Sequence, residues 1–128
     1  MKGKMIRKFY LDTYALIEII KGNPNYHSYT KEEFITTKLN LMEVYYGLLR
    51  LFNEETAERY FNFFIPSCIP VRDETMKTAM KFRLEQRKQK NLMSYVDSIG
   101  YFIALENNMR LLTGEKHFIG LRNVEFVK

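Results

Sequence analysis

The chain has 128 residues, of which 46% are hydrophobic, so we expect one domain, spanning residues 1–128, built around a single core. Its 20 basic and 15 acidic residues give a formal net charge of +5, which favours a polyanionic partner such as nucleic acid, although such a charge also serves solubility alone. The lone Cys68 excludes a disulfide framework and a cysteine-based zinc site, so we expect a reducing, cytoplasmic setting. No apolar stretch reaches the length of a membrane span, and Asp12 and Glu18 interrupt the first one before it reaches signal-peptide length.

Strand-like and helix-like segments alternate in the first half of the chain. The apolar run at 8–11 predicts a buried strand, and residues 14–21 predict a short helix that ends at a cluster of helix-breaking residues. Residues 34–37 are rich in β-branched side chains and predict a second strand. A longer helix is predicted over 38–52, with Glu43 in its second turn.

The middle of the chain continues this alternation. A third helix is predicted to open at Asn53, with acids in its first turn where the helix dipole favours them. The segment 66–73 predicts a third strand, and its two prolines indicate the edge of a sheet. Asp73 is predicted to cap a long helix, whose core face is predicted to be a stripe at i, i+4 spacing: Met76, Met80 and Leu84.

The last third of the chain begins with an almost wholly apolar helix, predicted over 94–106 and expected to be central and mostly buried. Residues 110–113 and 124–127 predict the fourth and fifth strands. The alternation of strands and helices along the chain predicts an α/β fold in which helices cover a parallel sheet.

One acid stands at the end of the first predicted strand. Asp12 follows the apolar strand directly and precedes the first helix, and ligands of open α/β sheets bind outside the carboxyl ends of the strands. Three further acids, Glu43, Asp97 and Glu115, are likewise set among apolar or small residues. If the four carboxylates converge, they would form a site for a hard divalent cation, with a phosphodiester as the expected substrate.

Each acid also has a purely structural interpretation. Asp12 would cap the helix that follows it, and the sequence from Ser94 to Asp97 matches a capping box. Glu43 would be a solvated helix residue, although its neighbours one turn away are apolar, which favours a functional role. Glu115 would be an exposed loop acid. A cap and a metal ligand are compatible roles, so the capping pattern does not exclude a site.

The set of four acids is more informative than any single one. Close carboxylates repel one another unless cations neutralise them, and all-oxygen ligation with water is what Mg²⁺ and Mn²⁺ prefer. Two such ions about 3.5 to 4 Å apart can activate water and stabilise the leaving oxygen of a displacement at phosphorus. His27 and His117 are isolated in the sequence and are more simply surface or packing residues.

Four motifs resemble those of the PIN domain family, in particular its small single-domain ribonucleases typified by VapC toxins. They are Leu11-Asp12-Thr13, then 41–48 around Glu43, 96–104 around Asp97, and 112–118 around Glu115. The four acids follow one another at family-like separations of 31, 54 and 18 residues, and the resemblance covers nearly the whole chain.

The resemblance implies a three-layer sandwich, in which helices flank a five-stranded parallel sheet. It also implies a metal-dependent endoribonuclease that uses Mg²⁺ or Mn²⁺ to activate water for cleavage of RNA. It further implies a homodimer and, in the toxin branch, inhibition by a small antitoxin protein. It assigns catalysis and metal binding to Asp12, Glu43, Asp97 and Glu115. Thr13 and Thr113 are assigned to supporting these acids.

Two residues depart from the family pattern. Tyr14 stands where a small polar residue such as Asn or Ser is common, and Glu115 stands where Asp is usual. The longer side chain of Glu115 would bind a second metal loosely or through water, which would give low activity or occupancy by one metal in the absence of RNA. The departures leave open a second function, that of a non-catalytic PIN-like module that binds RNA or protein.

Two surfaces are candidates for contacts with RNA and with a partner. Arg83, Arg87 and Lys90 fall at i, i+4 and i+7 and form a basic stripe that would steer RNA, with an ordinary solvated helix end as the alternative. Lys116, next to Glu115, is better placed for RNA. Several aromatic residues would line a groove for an antitoxin helix, with core packing as the alternative for at least half of them: Tyr45, Tyr46, Tyr60, Phe61, Phe63 and Phe64.

Overall fold

The computed structural model describes residues 7–128. The first six residues of the predicted domain lie outside the described part. In chain order the strands and α-helices are β1 (Lys8–Leu11), α1 (Thr13–Ile20), β2 (Glu33–Ile35), α2 (Lys38–Leu51), α3 (Glu54–Phe64), α4 (Asp73–Lys88), α5 (Tyr95–Glu106), β3 (Arg110–Thr113) and β4 (Val124–Phe126). Three 3₁₀ helices occupy Pro24–Lys31, Ile65–Ser67 and Lys116–Phe118. Among the helices described, none is both long and apolar enough to cross a bilayer.

The strands form one parallel sheet in the order β2-β1-β3-β4. Tyr10 of β1 pairs with Ile35 of β2 on one side and with Leu111 of β3 on the other. The predicted parallel sheet is therefore confirmed. Because β1 and β3 are adjacent, the residues that follow them come out at the same edge of the sheet.

The sheet has four strands in the described part of the chain, so the expectation of five is wrong. The predicted strand at 66–73 forms only a single parallel bridge, between Cys68 and Thr36. The bridge consists of a hydrogen bond from the Thr36 N–H to Ser67 and one from the Ile69 N–H to Thr36. The ladder cannot continue, because the paired segment leaves the sheet: Thr37 caps α2 and the next residue is already helical. The segment at 66–73 therefore adds one bridge and no strand to the sheet.

Side chains alternate between the two faces of the sheet, and each face carries its own core. Phe9 and Leu11 pack with buried residues of α1, α2 and α3, whereas Tyr10 packs with buried residues of α4 and α5. In β3, Leu112 belongs to the first core and Leu111 to the second. This arrangement confirms the predicted three layers. The predicted burial of α5 is also confirmed, since half of its residues are buried.

The core face of α4 is offset by one residue from the predicted stripe. Met76 and Leu84 are 39% and 55% exposed, whereas Thr75 and Ala79 are buried, so the prediction is wrong for Met76 and Leu84. It is confirmed for Met80, which is partly buried and packs against the second core. Small side chains at 75 and 79 let α4 approach α5 closely, and the Thr75 hydroxyl donates a 2.6 Å hydrogen bond to Glu106 of α5. The size of the side chains, more than their hydrophobicity, selects the packed face.

The predicted cap of α4 is wrong as well. Asp73 is the first residue of the helix, and Arg72 occupies the cap position without a side-chain hydrogen bond. An acid in the first turn still interacts favourably with the helix dipole.

Candidate metal centre

A cleft of about 400 Å³ opens at the carboxyl edge of the sheet. All four acids singled out in the sequence line it, together with Thr13, Tyr14, Ile17, Glu18 and Ser94. The fold thus brings together carboxylates that are up to 103 positions apart in the chain, in the case of Asp12 and Glu115.

Asp12 leaves the end of β1 and caps α1. Its Oδ1 accepts a 2.9 Å hydrogen bond from the Ala15 N–H, and its Oδ2 accepts one from the Thr113 hydroxyl. The side chain is buried, with Asp12 only 2% exposed, and this burial raises its pKa to about 7 against the opposing effect of the two hydrogen bonds. The nearby charges of Asp97 and Glu115 raise the pKa further. Asp12 is therefore both a cap and a lining residue of the cleft.

Glu43 reaches the cleft from the second turn of α2 and is half-buried. Its Oε1 accepts a 2.6 Å hydrogen bond from the Thr13 hydroxyl. Thr13 in turn accepts a hydrogen bond of 3.1 Å from the side-chain amide of Asn40. Both threonines that the resemblance assigned to support, Thr13 and Thr113, thus donate to a carboxylate of the cleft.

Asp97 lies in the first turn of α5, and its N–H donates a 3.0 Å hydrogen bond to Ser94 Oγ. This is the serine half of the predicted capping box. Burial raises the pKa of Asp97 to about 6, opposed by hydrogen bonding to Ser94 and reinforced by the charges of Glu115 and Glu43. The capping contact leaves Asp97 in the cleft, as the sequence analysis allowed.

Glu115 follows β3, and its N–H donates a 2.9 Å hydrogen bond to the Thr113 hydroxyl. Its Oε1 lies 3.2 Å from Nδ1 of His117, which is otherwise without a hydrogen-bond partner among the described residues. His117, isolated in the sequence, is therefore next to a cleft carboxylate. A Cβ at Gly114 would overlap the Tyr14 ring and the Val127 carbonyl oxygen. The absence of a side chain at Gly114 therefore leaves room for the large Tyr14 ring, which departs from the family pattern.

The charges in the cleft are poorly compensated by the protein. Within residues 7–128, Asp12, Glu43 and Asp97 form no ion pair with Lys or Arg, and Glu115 pairs only with His117. An all-oxygen donor set with unbalanced negative charge fits a hard divalent cation.

The arrangement of these donors limits how an ion would be held. No group of three or more His, Cys, Asp or Glu side chains in the described residues is arranged to hold one ion. Mg²⁺ usually keeps several waters and takes only one or two carboxylates, which matches such an open donor set.

The predicted RNA-binding residues lie outside the lining of the cleft. Arg83 is already engaged, because its Nε donates a 2.9 Å hydrogen bond to the Met93 carbonyl and its guanidinium lies 4.3 Å from the centre of the Tyr95 ring. Arg87 is exposed in the last turn of α4. Lys90 is exposed too, but it lies two residues beyond α4 with φ 65°, so the predicted helical stripe does not extend to it. Lys116 is exposed beside Glu115. These three residues are free to contact phosphates.

Sequence reasoning missed a group of buried polar residues behind the cleft. Asn40 contacts Tyr10, Thr37 and Thr13 through its side-chain amide. The available signal was an Asn three residues before Glu43, on the helix face that carries Leu41, Val44 and Leu48 into the core. A polar side chain so placed needs partners.

The PIN domain family matches residues 9–124, so this chain belongs to the PIN domain family. The predicted family resemblance is thereby confirmed. A comparison with curated proteins finds no match.

Several solved structures share the fold, and VapC toxins are among them. The Mycobacterium tuberculosis toxin VapC20, described as cleaving the sarcin-ricin loop, superposes with a TM-score of 0.76 at 14% identity, covering 94% of this chain and 99% of that one. VapBC2 from Rickettsia felis, bound to a DNA fragment from its promoter, gives 0.72 at 16% identity, with 94% and 97% covered. A toxin–antitoxin complex from Klebsiella pneumoniae gives 0.70 at 19% identity, with 91% and 94% covered.

Proposed function

We propose that this PIN domain is a Mg²⁺- or Mn²⁺-dependent endoribonuclease and the toxin of a toxin–antitoxin pair. The observation that carries the proposal is the cleft in which Asp12, Glu43, Asp97 and Glu115 converge without a Lys or Arg partner among the described residues. The raised pKa values of Asp12 and Asp97 support it, because burial first, and then the charges of the neighbouring acids, disfavour their ionised forms unless a cation is bound.

The four acids would hold the cation, and the chain fixes most of their orientations. A divalent cation bound here would lower the pKa of a coordinated water and stabilise negative charge on phosphate oxygens. The Ala15 N–H and the Thr113 hydroxyl fix Asp12, and the Thr13 hydroxyl fixes Glu43. Burial of Asp12 limits the water that competes for its carboxylate.

RNA would approach along the basic residues beyond the cleft. Arg87, Lys90 and Lys116 are exposed and would contact phosphates, whereas the contacts of Arg83 with Met93 and Tyr95 suit it to shape the loop before α5. Phosphate contacts of this kind position a strand without reading its sequence.

An antitoxin is the expected protein partner, because the structural neighbours include toxin–antitoxin complexes. Of the six aromatics suggested for a groove, Tyr46 and Phe63 are exposed, Phe64 is buried, and the other three are partly buried, so core packing accounts for part of the set. Exposed Met42 and Leu49 extend the apolar surface of α2 around Tyr46. A homodimer is the expected assembly of the toxin.

A non-catalytic RNA- or protein-binding module is the alternative function. It is favoured by the two residues that depart from the family pattern, Tyr14 and Glu115, which both line the cleft. Under this alternative the cleft would bind metal weakly, and the chain would bind RNA without cutting it.

Cleavage of labelled single-stranded RNA in Mn²⁺ separates the two functions. We expect the unaltered chain to cut RNA and Asp97→Asn to lose cleavage by orders of magnitude with its fold intact, because Asn keeps a similar size while the charged ligand is lost. Asp73→Asn is the matched control, since Asp73 is an exposed acid in the first turn of α4 and should retain activity. If Asp97→Asn cuts RNA at the rate of the unaltered chain and melts at a lower temperature, Asp97 serves only to cap α5.

A further inference from the structure

A buried chain of hydrogen bonds connects the protein core to Glu43. Asn40, 1% exposed, lies on α2 one turn before Glu43. Its Oδ1 accepts hydrogen bonds from the Tyr10 hydroxyl and, at 3.0 Å, from the Thr37 hydroxyl. Its Nδ2 donates at 3.1 Å to Thr13, whose hydroxyl donates at 2.6 Å to Glu43 Oε1.

The direction of these hydrogen bonds follows from the number of protons. Thr37 caps α2 by accepting the Asn40 N–H, and its oxygen also lies 3.2 Å from the Tyr10 hydroxyl, so its own proton is directed to Asn40 Oδ1. The Tyr10 hydroxyl, whose shorter contact is with Asn40 Oδ1, is the second donor. With two donors facing Oδ1, the amide turns its NH₂ to Thr13. Thr13 has one proton, and because its oxygen accepts from Asn40, that proton goes to Glu43.

Packing holds the start of this chain in place. Gly100 of α5 lies against the Tyr10 ring, where a Cβ would come within 2.9 Å of Tyr10 Cε1. The Tyr10 hydroxyl therefore has a fixed location relative to Asn40. An amide with this many fixed partners has one orientation.

We infer that Asn40 is a positioning residue that holds Glu43, through Thr13, as a metal ligand. The inference rests on the proposed function, because it assumes that Glu43 binds the cation. A glutamate side chain has three rotatable bonds, and an ordered hydroxyl on Oε1 leaves Oε2 as the free oxygen for the ion. Partners of this kind behind a metal ligand typically change metal affinity by about 10- to 100-fold.

The test is the Kd for Mn²⁺, measured by the electron paramagnetic resonance of the free ion, together with a melt of each variant. We expect Asn40→Ala and Thr13→Val each to weaken Mn²⁺ binding by about tenfold. The combined variant should be no weaker than the worse single one, because both break the same chain. Thr75→Val is the matched control, since it removes a 2.6 Å hydroxyl–carboxylate bond outside the cleft and should leave the Kd unchanged.

A second variant keeps the test decisive if Asn40→Ala does not fold. Tyr10→Phe combined with Asn40→Leu replaces both partners of the Tyr10–Asn40 hydrogen bond by apolar groups of similar shape, which costs less than removing one partner alone. Thr37 still caps α2 through the N–H of residue 40, and Thr13 keeps Glu43 as its hydrogen-bond acceptor. We expect this variant to fold and to bind Mn²⁺ about tenfold more weakly. An unaltered Kd in the folded variants would overturn the role of Asn40 while the metal site stands. Absence of Mn²⁺ binding by the unaltered chain would overturn the metal site and this inference together.

Discussion

Replacing Asp12 by Asn should make the metal-free protein more stable at alkaline pH. The carboxyl of Asp12 has a pKa of about 7 in the folded protein, against 3.8 in its ordinary state, because burial outweighs its hydrogen bonds to Ala15 and Thr113. Between these values the folded protein binds a proton that the unfolded chain has released. The stabilisation from Asp12 is therefore fully present below about pH 4 and is lost as pH rises through about 7.

The size of the effect follows from the two pKa values. At about 1.4 kcal/mol per pH unit, the interval from 3.8 to about 7 corresponds to roughly 4 kcal/mol lost by pH 8. The amide introduced by Asp12→Asn does not titrate in this range, so the free energy of unfolding of the variant should lack this slope. The amide can also accept the Ala15 N–H through its own oxygen, which preserves the cap of α1.

Urea unfolding in EDTA at pH 5, 6, 7 and 8 measures this difference. The unaltered protein should lose free energy of unfolding relative to Asp12→Asn as the pH rises, with most of the change complete by pH 8. Millimolar Mn²⁺ at pH 8 should restore the free energy of unfolding of the unaltered protein, and it should raise that of the variant much less. A difference between the two proteins that stays constant from pH 5 to 8 would refute the reasoning from burial of Asp12.

Three further outcomes are expected. Millimolar Mn²⁺ should raise the free energy of unfolding of the unaltered chain by about 2.7 kcal/mol at a hundredfold excess over Kd, and so raise its melting temperature over that in EDTA. Equal melting temperatures would count against a metal site. The double variant Arg87→Ala, Lys90→Ala should bind single-stranded RNA more weakly, and the slope of log K against log salt should fall by roughly 0.7 per lost contact. An unchanged slope would mean that neither residue contacts RNA. Gly114→Ala should lower the free energy of unfolding by about 1 to 3 kcal/mol, because the new methyl group overlaps the Tyr14 ring. Adding Tyr14→Ala should restore part of that loss. An unchanged free energy of unfolding in Gly114→Ala would contradict the close approach of Tyr14 to Gly114.

The parts of the fold that local chemistry specifies were predicted well from the sequence. The bounds of β1 and β3 coincide with the predicted 8–11 and 110–113, and α2 ends one residue before the predicted 52. These elements combine a consistent hydrophobic pattern with clear capping residues, such as Thr37 before α2. The acids at the carboxyl edge followed from this pattern, because a parallel sheet gives its strand ends a common edge.

The parts that depend on tertiary contacts could not be predicted in this way. The segment at 66–73 has the composition of a strand, but it forms only one bridge, because the segment it pairs with enters α2 directly after Thr36 and Thr37. The packed face of α4 depends on how closely α5 approaches, which favours Thr75 and Ala79 over larger neighbours. The partners of Asn40 come from β1, from α1 and from the start of α2, so only the register between these elements shows that its amide serves Glu43.

Metal affinity and metal-free instability should have one common origin in this cleft. Asp12 caps α1 and Asp97 lies in the first turn of α5, where helix dipoles favour anions, yet burial still raises both pKa values. The helices therefore offset only part of the cost of bringing the carboxylates together. The remainder destabilises the metal-free chain at neutral pH and is what a bound cation would relieve. Asp12→Asn should accordingly stabilise the metal-free protein and abolish cleavage at once. A purely structural cap would show neither effect, because Asn caps a helix as well as Asp does.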